Sequence, residues 1–415
     1  MNPRMRTTPN SFSNPSSTRE LIGISGCVLL LYFCLSFPNA IPLCIGLLFG
    51  VWNILRRKGM SIVFDAPLVW ALAFSVSFFA LNSYIDYSLT VAIGYCLNIV
   101  VMYLVGRNWL EGEFDDIRIE KTLKFIATSI TLFIWLCIVY TAIISPGSLV
   151  VRQFSSFWDG SLIAATHFST LSTLPLAVYI LSLFRHDKAD RRFGFLGTLL
   201  IIIANCIMSN RVIFVFTCAI GALCLLLNND KKSMTPKLMA LIVLGLVASA
   251  LIYFYSNNVF GIQSIFGSIP VFSRMNDLAV AGYKDPRLDR QIYILTHLFD
   301  SINGGGFFCN TVGEPHNVFL DIYDYAGWLP AILFLGFCVL LVIRLFVGYR
   351  GSRSYSTRLL VVVAVSMLIS FFEEPVIRSC ECYFVLFFFI VGLSFASFGK
   401  SGVSQSLRHN RTRGL

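Results

Sequence analysis

Apolar residues gather along the chain in blocks of about twenty, the length a helix needs to cross a bilayer. The blocks run near 21–37, 39–55, 66–82, 89–106, 122–145, 164–184, 194–209, 212–228, 236–256, 326–347, 358–372 and 382–399. This pattern predicts an all-α polytopic integral membrane protein with about 12 transmembrane helices. Residues 1–20 are polar, rich in Ser, Pro, Asn and Arg, and read as a disordered tail without a signal-peptide cleavage pattern. The organisation that follows is a tail at 1–20, helices one to nine across 21–256, a large loop at 257–325, helices ten to twelve across 326–399, and a basic tail at 400–415. A connection as long as 257–325 in a compact protein is usually functional. Within it Leu288, Ile292, Leu295, Leu298 and Phe299 recur at helical spacing, which predicts an amphipathic helix lying on the membrane face. Gly304, Gly305 and Gly306 read as a flexible stretch before a second structured segment.

Composition excludes the alternatives. Hydrophobic residues make up 56% of the 415, charged residues only 13%, and the mean hydropathy is +0.74. A soluble domain carries about 25% charged residues, and a disordered chain or coiled coil carries far less apolar material than this. The net charge of +10 would suggest nucleic acid in a soluble protein, but here the basic residues sit in short runs between apolar blocks. That is the pattern of cytoplasmic loops facing anionic lipid, so nucleic acid is excluded as a partner and membrane lipids are expected. With both termini in the cytoplasm, 25 of the 32 Lys and Arg residues fall on the cytoplasmic side. The cysteines inside apolar blocks, such as Cys137, Cys218 and Cys338, read as small buried hydrophobes.

The few basic residues on the opposite side need another reason to be there. They are Arg152, Arg211, Arg274, Lys284, Arg287, Arg290 and Arg378. An arginine pinned at a membrane boundary is costly unless it is paired or used, and Arg211 sits there in the hairpin Ser209-Asn210-Arg211. Arg152 lies near Trp158 and Asp159, where an interfacial anchor is the competing explanation. Arg287 and Arg290 are three apart at the start of the amphipathic segment, hence on one side of it. Glu314-Pro315-His316-Asn317 leads into the approach to span ten. It reads either as a plain helix start or as the seat of a catalytic histidine. Glu373 and Glu374 end span eleven on the same side and are candidate partners for these arginines.

The chain resembles the bacterial O-antigen ligase and O-antigen polymerase superfamily. His316-Asn317, nine residues and then Gly327 match the His-Asn/Ser/Gln-x9-Gly pattern of the ligases. Ser209 and Arg211 look like the Ser-Arg that begins a helix in these proteins, and an Arg-bearing helix leads to the Gly-rich element at 304–306. There are departures. Asn210 interrupts the Ser-Arg, the usual Trp after the loop arginine is absent with Tyr293 its nearest counterpart, and the family arginine corresponds to either Arg287 or Arg290. The Arg-x10-Gly motif of some polymerases is also absent.

The resemblance implies a GT-C-like fold and an inner-membrane enzyme whose active site faces the periplasm. Its donor would be an undecaprenyl-diphosphate-linked glycan and its acceptor a lipid-linked repeat unit or lipid A-core, with no metal or other cofactor. A chain-length regulator is an implied partner. His316 would be the general base, and Arg211, Arg287 and Arg290 would neutralise the departing diphosphate. Arg152, Asn317, Glu314, Glu373 and Tyr293 would bind substrate or orient the others. The single large loop and the His-Asn-x9-Gly spacing lean toward a ligase, while drift from the commoner motifs leans toward a polymerase, which is the reading preferred over the ligase. A flippase is disfavoured because no repeated halves are evident and the charges gather at the surface rather than mid-membrane.

Overall fold

The computed structural model describes residues 65–86, 88–110, 115–150, 152–157, 160–227, 286–351, 354–374, 376–379 and 381–413. The tail at 1–20, the expected spans at 21–37, 39–55 and 236–256, and residues 257–285 of the large loop lie outside these. Every other expected span is a helix: α1 (Ala66–Leu81), α2 (Leu89–Arg107), α3 (Asp115–Ile144), α5 (Ala165–Leu183), α6 (Lys188–Ile207), α7 (Val212–Leu227), α11 (Trp328–Gly351), α12 (Tyr355–Ser370) and α14 (Glu381–Arg413). Between them stand the short helices α4 (Pro146–Val150), α8 (Pro286–Thr296), α9 (Phe307–Val312), α10 (Val318–Ala326) and α13 (Val376–Ser379). The amphipathic segment of the large loop forms α8, as its spacing predicts.

Two details differ from the sequence pattern. Strand β1 (Gln153–Ser155) pairs antiparallel with β2 (Leu162–Ala164), so the described residues are not wholly helical. The Thr141 hydroxyl accepts from the Ser155 N–H at 2.8 Å, which seats this hairpin on α3. The second difference is at the C-terminus, where α14 continues as helix through the basic segment to Arg413.

Among the described residues, the helices containing Asp116–Ile144, Ala165–Leu183, Trp328–Arg350 and Glu381–Phe398 are long and apolar enough to cross a membrane. Apolar side chains cover the outside of the bundle as well as its inside. Ile332, Leu335, Val339, Val342 and Phe346 of α11 are all exposed. A surface of that kind belongs to an all-α membrane protein.

Close approach of backbones sets the packing. A Cβ on Gly106 of α2 would lie 2.1 Å from the Phe389 carbonyl of α14, and one on Gly392 would lie 2.2 Å from the Tyr103 carbonyl. Only glycines permit this crossing. Phe74, Phe334, Phe371, Phe384, Phe387 and Phe388 form a buried aromatic core, with neighbouring ring centroids 4.9–6.3 Å apart.

The two ends of the bundle differ. At one end Lys124 and Arg185 interlock with Glu120 and Asp190, with distances between 2.5 and 3.5 Å. At that end, too, Asp65 caps α1 and takes the Arg107 Nε at 3.0 Å. The opposite end is where residues 152–157, 160–165, 208–212 and 371–374 come together.

Candidate active site

The site begins with α10. Its Asn317 cap accepts from the N–H groups of Phe319 and Leu320 at 3.1 and 3.5 Å. Gly327 closes the helix with φ +85°, where a Cβ would stand 2.8 Å from the Ile302 carbonyl. The His-Asn-x9-Gly spacing is therefore the length of one short helix between its two caps. His316 is the residue immediately before that cap. The Val318 N–H donates to the Phe371 carbonyl at 2.8 Å. That bond joins the start of α10 to the end of α12, and Phe371 is anchored in the aromatic core. Glu373 and Glu374 follow closely.

His316, Arg152, Arg211, Arg287, Arg290 and Glu373 line one cavity of 310 Å³, together with Thr166, Ser169 and Asn210. These residues come from separated stretches of chain. Arg152 donates from Nε to the Met208 carbonyl at 3.3 Å and from Nη2 to Asn210 Oδ1 at 3.2 Å. Asn210 in turn donates to the Ala165 carbonyl at 2.7 Å and to Asn205 Oδ1 at 3.0 Å. The residue that interrupts the Ser-Arg pair is thus a buried bracket joining α5, α6 and Arg152. Arg290 donates to the Glu314 carbonyl at 3.2 Å, and among the described residues it has no carboxylate partner. Arg287 pairs with Glu373 at 2.5 Å and stands 3.7 Å from Glu374.

Backbone strain marks the same place. Among the described residues, the non-glycine residues in the left-handed region are Arg152, Ser209 and His316, at φ +60°, +56° and +53°. Each costs roughly 1–2 kcal/mol relative to an ordinary conformation. Two of them line the cavity and the third adjoins Asn210. Such strain persists where surrounding structure over-determines it, and it gathers at functional sites.

His316 Nδ1 lies 3.5 Å from Glu374 Oε2, within ion-pair reach and long for a hydrogen bond. The Glu374 side chain is only 1% exposed. Burial opposes its ionisation. The His316 ring and the Thr166 hydroxyl beside it, with the fields of His167 and His316, outweigh that and hold its carboxyl below the ordinary carboxylate range. The buried Nδ1 faces a carboxylate and His316 lines the cavity, so Nε2 is the ring nitrogen without that contact.

No family model matches the chain, and no curated protein matches it either. What the site can do is therefore argued from its own geometry. Four guanidinium groups and one carboxylate, that of Glu373, line the cavity, an excess of positive charge suited to a polyanion. Arginine forks match phosphate oxygens bidentately.

Other residues expected at the site are placed elsewhere. Asn317 is a helix cap. Glu314 contributes its carbonyl to Arg290 without lining the cavity. Tyr293 stacks on His297 at 4.1 Å and packs beside Phe308, away from the cavity. The glycines at 304–306 are a tight clasp rather than a flexible stretch. The Gly306 N–H donates to the Asp324 carbonyl at 2.8 Å, and a Cβ on Gly306 would collide with the Tyr84 ring. The carboxylate of Asp324 holds the first N–H groups of α9, from Phe308 and Cys309, at 2.8 and 2.9 Å.

Sequence reasoning gave no site role to Thr166, His167 or Ser169, and it offered Glu374 only as a partner for the arginines. Their signal was present, since polar residues crowd the first turns of α5 on the arginine-bearing side. Only packing distinguishes Glu374 beside His316 from Glu373 beside Arg287.

Proposed function

We propose that the protein is a membrane glycosyltransferase of the surface-polysaccharide polymerase type. It moves a glycan from a polyprenyl diphosphate to the hydroxyl of an acceptor sugar. The observation that carries this is the meeting of Arg152, Arg211, Arg287 and Arg290 with His316 in one cavity. A diphosphate-linked glycan requires what these residues supply: cations for the leaving group and a base for the acceptor.

In this mechanism the arginines take the diphosphate oxygens. His316 Nε2 accepts the proton of the acceptor hydroxyl as that oxygen bonds to the anomeric carbon. The bond from the anomeric carbon to the phosphate oxygen breaks, and the lipid diphosphate leaves with the electron pair, its charge balanced by the guanidiniums. Attack opposite the leaving group inverts the anomeric centre. The imidazolium formed on His316 is stabilised by the adjacent Glu374 carboxylate. The site faces the periplasm, opposite the Lys124–Asp190 end, because the positive-inside rule assigns the more basic end to the cytoplasm.

The test is a lipopolysaccharide gel from a deletion strain carrying either the wild type or His316→Ala. Core bearing one repeat in the deletion strain, with a ladder restored only by the wild type, supports the polymerase. Bare core with glycan accumulating on the lipid carrier would instead indicate a ligase. A full ladder with His316→Ala would sink the catalytic role of His316 and return a transporter to consideration.

A further inference from the structure

Glu374 lies outside the cavity, behind it, and touches two of the groups that line it. Its Oε2 stands 3.5 Å from His316 Nδ1 and its Oε1 stands 3.7 Å from Arg287 Nη2. Its neighbour Glu373 has a different task, pairing Arg287 at the cavity surface. The groups facing Glu374 come from each element packed around it: Thr166 and His167 from α5, Arg287 from α8, His316 from the segment before α10, and Asp321 from α10 itself. Three of the five are basic or imidazole side chains. A carboxylate removed from solvent this completely needs such company, because an uncompensated buried charge is strongly destabilising.

We propose that Glu374 is the positioning residue of the site, a buried carboxylate that fixes the ring of His316 and ties it to Arg287. A carboxylate only accepts hydrogen bonds, so it selects the imidazole tautomer carrying hydrogen on Nδ1. That leaves the Nε2 lone pair free to take a proton at the cavity. The left-handed backbone at His316 serves the same end, by turning the residue before the α10 cap toward Glu374. Sharing one anion between His316 and Arg287 also couples the base to the anion clamp. When a diphosphate engages Arg287, the Glu374 charge is left to the imidazole. This coupling rests on the diphosphate reading of the cavity, whereas the tautomer does not.

The experiment uses the full chain in liposomes with ¹⁵N-labelled histidine and magic-angle-spinning NMR. The protein has five histidines, and His316 is assigned by its absence from His316→Gln. The wild type is expected to show His316 protonated at Nδ1. In Glu374→Leu no acceptor faces Nδ1, and the preference for the Nδ1–H form is lost; in Glu374→Gln, whose amide can accept or donate, it is weakened. In Glu374→Asp the Nδ1–H form persists.

In the transfer assay, kcat of Glu374→Gln falls by roughly 10²–10⁴-fold, the scale for a base held in the wrong tautomer, and Glu374→Asp recovers part of it. A purely structural role would lower the yield of folded protein without moving the ring signals. A wild-type His316 protonated at Nε2 overturns the proposal, even if Glu374→Gln fails to fold. So does a Glu374→Leu variant with an unchanged tautomer. The ring signals are read without any glycan. An Nδ1–H wild type that transfers no glycan would therefore refute the glycosyltransferase reading and leave the Glu374 assignment standing.

Discussion

At the residue scale, the cavity arginines are not equivalent. Arg287 is committed to Glu373, while Arg290 donates to a neutral carbonyl and has no carboxylate partner among the described residues. Arg290 therefore offers the less compensated charge to a phosphate. Arg290→Lys keeps the charge and loses the fork, so inorganic pyrophosphate should bind about tenfold more weakly by calorimetry at fixed salt. Unchanged affinity would remove Arg290 from the clamp.

Asp321 is a different case. Its side chain is fully buried, and neither oxygen has a hydrogen-bond partner among the described residues. Burial first, then the carboxylates of Glu314, Glu374 and Asp324, push its carboxyl well above the ordinary range. Folding therefore binds a proton. The stability that Asp321 contributes is fully present below the unfolded value of about 3.9 and is lost as pH rises through the folded value. Asp321→Asn removes that loss, so its thermal unfolding midpoint should exceed that of the wild type by more at pH 8 than at pH 5. An equal difference at both pH values would contradict a neutral buried acid.

At the element scale, the unit that presents His316 is α10 with its clasp. Asn317 and Gly327 set its length, and Gly304–Gly306 hold it against Tyr84, whose ring stacks on Tyr325 at 5.1 Å. The glycines differ in what surrounds them. At Gly305, with φ +87°, the nearest atom to an added Cβ is the Ser83 hydroxyl oxygen, 3.6 Å away, whereas at Gly306, with φ +72°, the Tyr84 ring fills that space. Gly305→Ala should cost the left-handed penalty alone, roughly 1–2 kcal/mol. Gly306→Ala should cost more, because the ring must move and its stack must open. Melting curves of the two variants in detergent check the order, and equal losses would mean that Tyr84 is not held by the clasp. The sequence pattern marks these glycines as a break in the chain. That they are packed rather than loose depends on Tyr84, which is remote in sequence, and no local pattern contains that contact.

At the scale of the whole molecule, polarity of position matters most. Helix ends and turns gather opposite the Lys124–Asp190 end, so residues 152, 211, 287, 316 and 373 share one cavity. The exposed apolar face of α8 and the turn after it, made by Leu288, Ile292, Leu295 and Phe299, lies beside this end. Phe299 is 87% exposed, too large an apolar surface to leave in water, so α8 should rest in the headgroup region and fix the height of Arg287 and Arg290 over the membrane. A tryptophan introduced as Leu295→Trp should be quenched in liposomes by lipids brominated near the headgroups. Quenching by an aqueous quencher alone would place α8 away from the bilayer.

The sequence by itself determined the helical class, the positions of the described spans, the amphipathic α8 and the short list of arginines with His316. These are set by composition and period, which are local properties of a chain whose solvent is a membrane. Tertiary structure alone decided which of these residues meet, because meeting depends on how helices far apart in sequence end at the same height. It moved Tyr293 into an aromatic cluster and made Asn317 a cap. It also separated two adjacent glutamates, giving Glu373 to Arg287 at the surface and burying Glu374 behind His316. Adjacent residues leaving a turn point in different directions, and only the surrounding helices determine which of the two faces the histidine.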